Sequence, residues 1–185
     1  MSVTAPTNNR LECGCPADYP DWHNRDIDLG GTLMQQTSVP YFFHMPIGFE
    51  ARLFRQYNTI QQQDLHERWP GFVLSRSGMF RGTILCPLQE ESSPLRNLIR
   101  LPNPYRLRCH LVHGDIGRVK PAVRRVQSAL LDEGRMPKTL YLAYLTCPAC
   151  QQQRGGMRIM TLRHWRESGR LQERLKRQRE NADAA

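Results

Sequence analysis

Residues 105–146 read YRLRCHLVHGDIGRVKPAVRRVQSALLDEGRMPKTLYLAYLT, and their hydrophobic pattern changes twice along the chain. Residues 105–112 alternate as a strand does, and residues 115–134 carry an apolar stripe at helical spacing. The end of the quoted run, rich in Leu and Tyr, returns to a strand pattern. Pro121 near the start of the central segment and Gly134 at its end are typical helix boundaries. The sequence therefore predicts a strand–helix–strand unit over 105–146.

The rest of the chain also contains both helical and strand-like hydrophobic patterns. Residues 48–69 have helical spacing that a capping-box pattern at Thr59 interrupts, which predicts two short helices. Residues 72–76 and 79–86 flank a Ser-Gly pair and predict a hairpin. The aromatic run at 38–44, SVPYFFH, predicts a strand or a buried extended segment. These elements together predict a single mixed domain of the α+β class.

The domain boundaries follow from composition. Residues 1–11 have turn and polar composition, which predicts a disordered N-terminus. Residues 12–163 form the predicted mixed domain, and within it residues 13–28 have no usable period and predict an irregular loop. Residues 164–185 predict a basic C-terminal helix with a frayed tail.

Four of the six cysteines come in two pairs, Cys13-x-Cys15 and Cys147-x-x-Cys150. Two residues between thiolates allow one tight turn to present both sulfur atoms to a tetrahedral zinc ion. The second pair follows a predicted strand and precedes another, which is the context of a zinc knuckle. We therefore predict a structural zinc site with Cys13, Cys15, Cys147 and Cys150 as its ligands.

Other ligand sets and other cysteine chemistry remain open at the level of sequence. Cys109, His113 or His23 could replace the first pair of cysteines as metal ligands. The second pair could instead be a thiol-redox motif, although the residues after it, QQQRGG, do not continue as the helix that such motifs open. A structural disulfide is disfavoured in a reducing compartment.

The charge of the chain is unevenly distributed. Residues 1–50 carry two Arg and six acidic residues, whereas residues 151–185 carry nine basic and four acidic residues, and the whole chain has a net charge of +9. A basic surface favours an anionic macromolecule as partner, either an acidic protein surface or nucleic acid. Arginines recur in the C-terminal segment at spacings of three and four, which predicts an anion-binding helix face: Arg163, Arg166, Arg170, Arg174 and Arg177.

Several function classes find no support in the sequence. It has no Gly-rich phosphate loop, no nucleophile elbow and no His-Glu-x-x-His pattern. The chain contains no apolar run long enough to span a bilayer and no secretory signal pattern, so a cytoplasmic protein is expected. The sequence favours a metal-stabilised binding or accessory protein that acts through protein–protein interaction. A nucleic-acid-binding protein and a small metalloenzyme or thiol-redox protein are the alternatives, and the oligomeric state is not predicted.

Overall fold

The computed structural model describes residues 10–43, 45–93 and 97–183. Over these residues, nine strands form one sheet and three α-helices accompany it, which confirms the predicted α+β class. The strands are β1 (Asp26–Asp28), β2 (Leu33–Phe42), β3 (Met45–Pro46), β4 (Leu74–Arg76), β5 (Arg81–Pro87), β6 (Leu98–Arg100), β7 (Arg106–His113), β8 (Arg135–Tyr144) and β9 (Arg158–Glu167). The helices are α1 (Phe49–Gln62), α2 (Val119–Asp132) and α3 (Gly169–Asp183), and the 3₁₀ turn Ile116–Arg118 precedes α2.

The sheet closes on itself through one stretch of chain. Its main order is β1-β7-β9-β8-β4-β5-β2-β3, and β6 pairs with β2. Strands β6 and β7 follow each other in the chain. Residues 98–113 therefore connect β2, the next-to-last strand of this order, to β1 and β9 at the other end. Backbone hydrogen bonds line this seam, from Leu29 N to the Tyr105 carbonyl and from Gly31 N to the Leu101 carbonyl. Closure removes most of the exposed strand edges.

The inner face of the closed sheet holds the larger core. Alternate residues of neighbouring strands point inward, as the two-residue period of a strand requires; they include Met34, Leu85, Leu107, Leu162 and Tyr141. The outer face carries two helices. Helix α1 packs on it through Tyr57 and Ile60, and α2 packs through Val126 and Leu130 against Trp165 of β9. The inner cluster lies between facing strands, and each of the two outer clusters lies between the sheet and a helix.

The predicted strand–helix–strand unit is present as β7, α2 and β8, although its two strands are not neighbours. Strand β9 lies between them and pairs antiparallel with each. The prediction of two short helices over residues 48–69 is wrong. Thr59 lies inside the single helix α1, where its hydroxyl donates a hydrogen bond to the Arg55 carbonyl (2.9 Å) and caps nothing.

Both ends of the folded region differ in detail from the sequence-based boundaries. Residues 1–9 of the segment predicted to be disordered lie outside the described residues, whereas Arg10 and Leu11 belong to a folded loop. Strand β1 lies within residues 13–28, the segment predicted to be an irregular loop, and it is a strand because it pairs with β7. Strand β9 continues to Glu167 because Trp165 is buried against α2, so the C-terminal helix starts at Gly169 and not at residue 164. None of the helices in the described ranges combines the length and apolar character that crossing a bilayer requires.

Candidate metal centre

The turn after β8 presents the second cysteine pair. The Cys147 carbonyl accepts hydrogen bonds from the backbone N–H groups of Cys150 (3.1 Å) and Gln151 (2.9 Å), which folds residues 147–151 into a tight turn. The Cys147 N–H in turn lies 3.3 Å from Sγ of Cys150. Residues 148–155 stay in turn conformation and lead into β9 without an intervening helix. Such a turn can present two thiols to one metal ion, and it lacks the helix that follows the cysteines of a typical redox motif.

The first pair lies on a second tight loop. Arg10 and Pro16 form an isolated antiparallel bridge, the Leu11 N–H donates to the Cys15 carbonyl (3.0 Å), and the Gly14 N–H donates to the Leu11 carbonyl (2.8 Å). Gly14 has φ of +83°, a conformation that a residue with a side chain adopts only with strain. The Cys-Gly-Cys sequence therefore makes a turn that places the two thiols close together.

The four predicted ligands converge on one point. The Sγ atoms of Cys13, Cys15, Cys147 and Cys150 all lie within 4.8 Å of one another, and those of Cys147 and Cys150 are 3.9 Å apart. Four sulfur atoms at about 2.3 Å from a central zinc ion lie roughly 3.8 Å from each other, which is close to the observed separation. Among the described residues this is the only such group of potential ligands. The cluster could therefore hold a metal ion.

Protein contacts also fasten the first loop to the body. Arg154 donates to the carbonyls of Pro16 (2.6 Å) and Ala17 (2.9 Å). Arg10 forms an ion pair with the buried carboxylate of Glu67 (3.1 Å), which also accepts the N–H of Gly71 (2.8 Å). The loop is thus held by hydrogen bonds and a buried ion pair in addition to any metal bound by its thiols.

The thiols are poorly suited to carry charge without a cation. Burial, together with the nearby Cys150 thiol, raises the pKa of Cys15 far above its usual value, and burial also raises the pKa of Cys13. For Cys147, burial acts to raise the pKa, but the backbone N–H groups of Cys150 and Ala149 bring it below the usual value. A bound dication would compensate the clustered thiolates, which otherwise repel each other.

The other ligand sets considered from the sequence are not assembled. Cys109 is fully buried in the inner core, and His113 is exposed at the end of β7. His23 packs against His110 with ring centroids 5.0 Å apart. None of the three belongs to the cysteine cluster. Cys147 and Cys150 do not form a disulfide bond, since their sulfur atoms are 3.9 Å apart and a disulfide bond is roughly 2.05 Å long.

A cavity of about 420 Å³ opens beside the cysteine cluster. It lies between α1 and the β2–β3 hairpin, and its walls include Tyr41, Phe49, Leu53 and Tyr144 together with the Cys13 and Cys147 turns. Burial raises the pKa of both tyrosine hydroxyls, so they are neutral hydrogen-bonding groups in a mostly apolar wall. Sequence reasoning did not find this cavity, because α1 and β8 come together only in the folded chain.

A second group of polar side chains lies on the outer face near α2. The Leu111 N–H donates to Nδ1 of His23 (3.1 Å), and the Asn24 amide bridges Nε2 of His23 (3.0 Å) and Nδ1 of His110 (2.6 Å). The amide nitrogen of Asn24 faces Nε2 of His23, and its Oδ1 faces Nδ1 of His110. Because an amide oxygen only accepts, Nδ1 of His110 donates to it, so a neutral His110 carries its proton on Nδ1 and a lone pair on Nε2.

His110 also borders a cavity of about 310 Å³ that Arg125 and Asp26 help to line. Burial, with the nearby charges of His23 and Arg125, lowers the pKa of His110, so its ring is neutral at pH 7. The sequence offered His23 as a possible metal ligand but gave no signal that His110 of β7 would lie beside it, because the pairing of β1 with β7 is a long-range contact.

The five arginines predicted to form one helix face are divided between two elements. Arg163 and Arg166 lie on β9, where successive odd and even residues face opposite sides of the sheet. Arg163 is half-buried and lies 3.3 Å from Gln127 of α2, whereas Arg166 is exposed. Only Arg170, Arg174 and Arg177 lie on α3, and all three are exposed. The prediction of a single stripe from 163 to 177 is therefore wrong.

Comparison with known proteins places the chain in a family. A family model described as "Bacterial hydrolase" matches residues 4–164, which include all four clustered cysteines and His110 but not α3. No curated protein and no solved structure matches the chain. Because the family model covers most of the sequence, the chain belongs to the bacterial hydrolase family.

Proposed function

We propose that this chain is a zinc protein whose four-cysteine centre is structural, and that it works as a binding or accessory protein for an anionic partner. The convergence of four thiols within 4.8 Å carries the first part of the proposal. Four sulfur ligands favour zinc or iron, and a zinc ion with four protein ligands has no position left for water or substrate. Such a centre stabilises a fold and does not itself perform hydrolysis.

The centre joins two segments that are distant in the sequence. It fastens the loop of residues 10–17 to the turn between β8 and β9, so that metal binding closes a loop of most of the chain. The free energy of metal binding is then part of the free energy of folding. Reduced thiolate ligands fit a reducing compartment, and we place the protein in the cytoplasm as part of this proposal.

The anionic partner is proposed to bind α3. Ser168 caps this helix through a hydrogen bond from the Leu171 N–H (3.4 Å), and only Leu171 and Leu175 are half-buried among its side chains up to residue 182. Arg170, Arg174 and Arg177 therefore face solvent on a helix that the core barely holds. Guanidinium groups suit carboxylates or phosphates, so an acidic protein surface is the first candidate and nucleic acid the alternative.

Charge reversal tests this role of α3. The variant with Arg170→Glu and Arg174→Glu is expected to lose binding to poly-glutamate or to DNA, whichever the wild type binds, and to keep its metal content. For nucleic acid, contacts to about three phosphates give a log–log salt slope on the order of −2 to −3. Arg124→Glu, an exposed arginine of α2, serves as the control. Equal affinity of the double variant and the wild type would leave α3 as an ordinary solvated helix.

Hydrolysis is the second candidate function, and two observations favour it. The family is described as a bacterial hydrolase, and His110 with Arg125 borders a cavity on the outer face. A neutral His110 whose proton lies on Nδ1 has a lone pair on Nε2 and can accept the proton of an attacking water, while Arg125 adds a positive charge nearby. In this proposal His110 takes the proton as water attacks an ester or phosphate and returns it to the leaving group, and Arg125 stabilises the negative charge that develops on the substrate.

A comparison of two histidines of β7 tests the hydrolytic role. We expect measurable hydrolysis of p-nitrophenyl acetate or p-nitrophenyl phosphate by the wild type, and a loss on the order of a hundredfold in His110→Ala, because the variant has no general base. His113→Ala is the matched control, since His113 is exposed on the same strand and does not line the cavity. Turnover that is absent in the wild type, or equal in the two variants, would contradict this assignment.

A further inference from the structure

Large apolar side chains are exposed together at one end of the sheet. The β2–β3 turn exposes Phe42 (61%), Phe43 (63%) and Met45 (71%), and the β4–β5 turn exposes Phe80 (64%). Ile47 and Met79 beside them are also at least half exposed. We name these six residues the apolar tip. Exposed apolar side chains scattered singly are ordinary, but a cluster of this kind marks a site of interaction.

The two turns form one surface. The rings of Phe42 and Phe43 are 4.8 Å apart, and the rings of Phe43 and Phe80 are 6.2 Å apart. The Tyr41 N–H donates to the Phe80 carbonyl (2.9 Å), which fixes the β2–β3 turn beside the β4–β5 turn. Phe43 has φ of +45°, a strained conformation for a phenylalanine, and its ring is nevertheless not buried. The fold thus presents these rings to the surroundings.

The charge next to the apolar tip is mainly basic, although the exposed Glu50 follows at the start of α1. Arg76 and Arg81 flank the β4–β5 turn, and both are exposed. The sequence has no acidic residue from 33 to 49 or from 72 to 88, the two segments that form the apolar tip and its supporting strands. A surface with apolar side chains at its end and arginines on the two strands behind them is complementary to an anionic lipid bilayer.

We propose that the apolar tip inserts into the interfacial layer of an anionic lipid bilayer, with Arg76 and Arg81 contacting the headgroups. The ligand chemistry is a phospholipid surface with net negative charge, such as phosphatidylglycerol. None of the residues of the apolar tip belongs to α3 or to the cysteine cluster, so the proposal does not depend on the function proposed above. It requires no membrane-spanning helix, because an interfacial protein inserts side chains and not a whole segment.

Flotation with lipid vesicles tests the proposal. The wild type is expected to float with phosphatidylglycerol vesicles and much less with phosphatidylcholine vesicles. The double variant Phe43→Ser with Phe80→Ser should lower the bound fraction on the order of tenfold, because it removes two inserted rings. This variant keeps the net charge and all the arginines of α3, so its loss of binding cannot come from general electrostatic attraction. Arg76→Glu with Arg81→Glu should remove the preference for phosphatidylglycerol.

Ile116→Ser is the matched control. Ile116 is a large apolar residue that is 56% exposed on the 3₁₀ turn before α2, away from the apolar tip, and its replacement should leave vesicle binding unchanged. Unfolding midpoints and metal content verify that each variant is folded. Absence of vesicle binding by the wild type at low salt would overturn the proposal. Concentration-dependent dimerisation that the double phenylalanine variant abolishes, without vesicle binding, would assign the surface to a second copy of the chain and overturn it as well.

Discussion

Replacing Cys147 with serine is expected to remove the bound metal and to lower the free energy of unfolding by about 3 kcal/mol or more, a shift of roughly 6–12 °C in the unfolding midpoint for a chain of this size. A serine hydroxyl keeps its proton at neutral pH and does not replace a thiolate ligand. With three sulfur atoms left, the centre loses both a ligand and the closed coordination that favours zinc. Elemental analysis and calorimetry of the same preparation measure both effects.

A buried cysteine outside the cluster provides the control. Cys109→Ala removes a thiol from the inner core, where Cys109 is fully buried. It should cost about 1 kcal/mol for the small cavity and leave the metal content at one per chain. Full metal occupancy in Cys147→Ser would contradict the assignment of the ligands. Cys13→Ser should also lose the metal, because the structure offers no substitute from Cys109, His113 or His23.

The second large effect is expected from Gly71→Ala. Gly71 has φ of +79°, and a Cβ atom there would lie 2.8 Å from the Pro16 nitrogen and 3.0 Å from the Cys15 carbonyl carbon. The new methyl group would therefore push on the backbone that carries Cys15. We expect a loss of stability on the order of 2 kcal/mol beyond the cost of the left-handed conformation, and a metal affinity weaker on the order of tenfold or more.

Gly31→Ala separates the two contributions. Gly31 has φ of +75°, nearly that of Gly71, but a Cβ atom there meets nothing within 4 Å. This variant should show only the cost of the backbone conformation, about 1–2 kcal/mol, and an unchanged metal affinity. Competition with a chelator of known affinity measures the difference. Equal metal affinities of the two variants would show that the first loop does not depend on its contact with Gly71.

The cysteine cluster could be predicted from the sequence because its signal is local. The spacing within each pair limits which turns can form, whereas Cys86 and Cys109 stand singly within predicted strands. The strand–helix–strand unit could be predicted for the same reason, since the pattern of residues 105–146 changes period at clear boundaries. In each case the decisive interactions lie within a few residues of one another.

Long-range pairing explains what the sequence did not reveal. Strand β1 has the sequence Asp-Ile-Asp, which carries no strand signal, and it is a strand only because β7 offers it a partner. The closure of the sheet depends in the same way on β6 and β2. The spacing of three and four between arginines predicted a helix that includes Arg163 and Arg166. Both lie on β9 instead, because Trp165 between them is buried against α2.

The aromatic run of residues 38–44 illustrates the limit of composition as a guide. Its Tyr and Phe residues predict a buried segment, and Tyr41 is indeed buried against α1. Phe42 and Phe43 are instead exposed, because β2 ends at Phe42 and the turn that follows does not pack against the core. The position of a strand end, which composition does not encode, therefore decides whether an aromatic residue supports the core or forms an interaction surface.

X-ray absorption at the zinc edge of the purified, tag-free protein tests the central claim most directly. A closed structural centre predicts one zinc ion per chain with four sulfur neighbours at about 2.3 Å and no lighter ligand. This result would agree with the four Sγ atoms that lie within 4.8 Å of one another. A zinc ion with nitrogen or oxygen among its ligands, or a protein that carries no metal while Cys13, Cys15, Cys147 and Cys150 remain reduced, would contradict it.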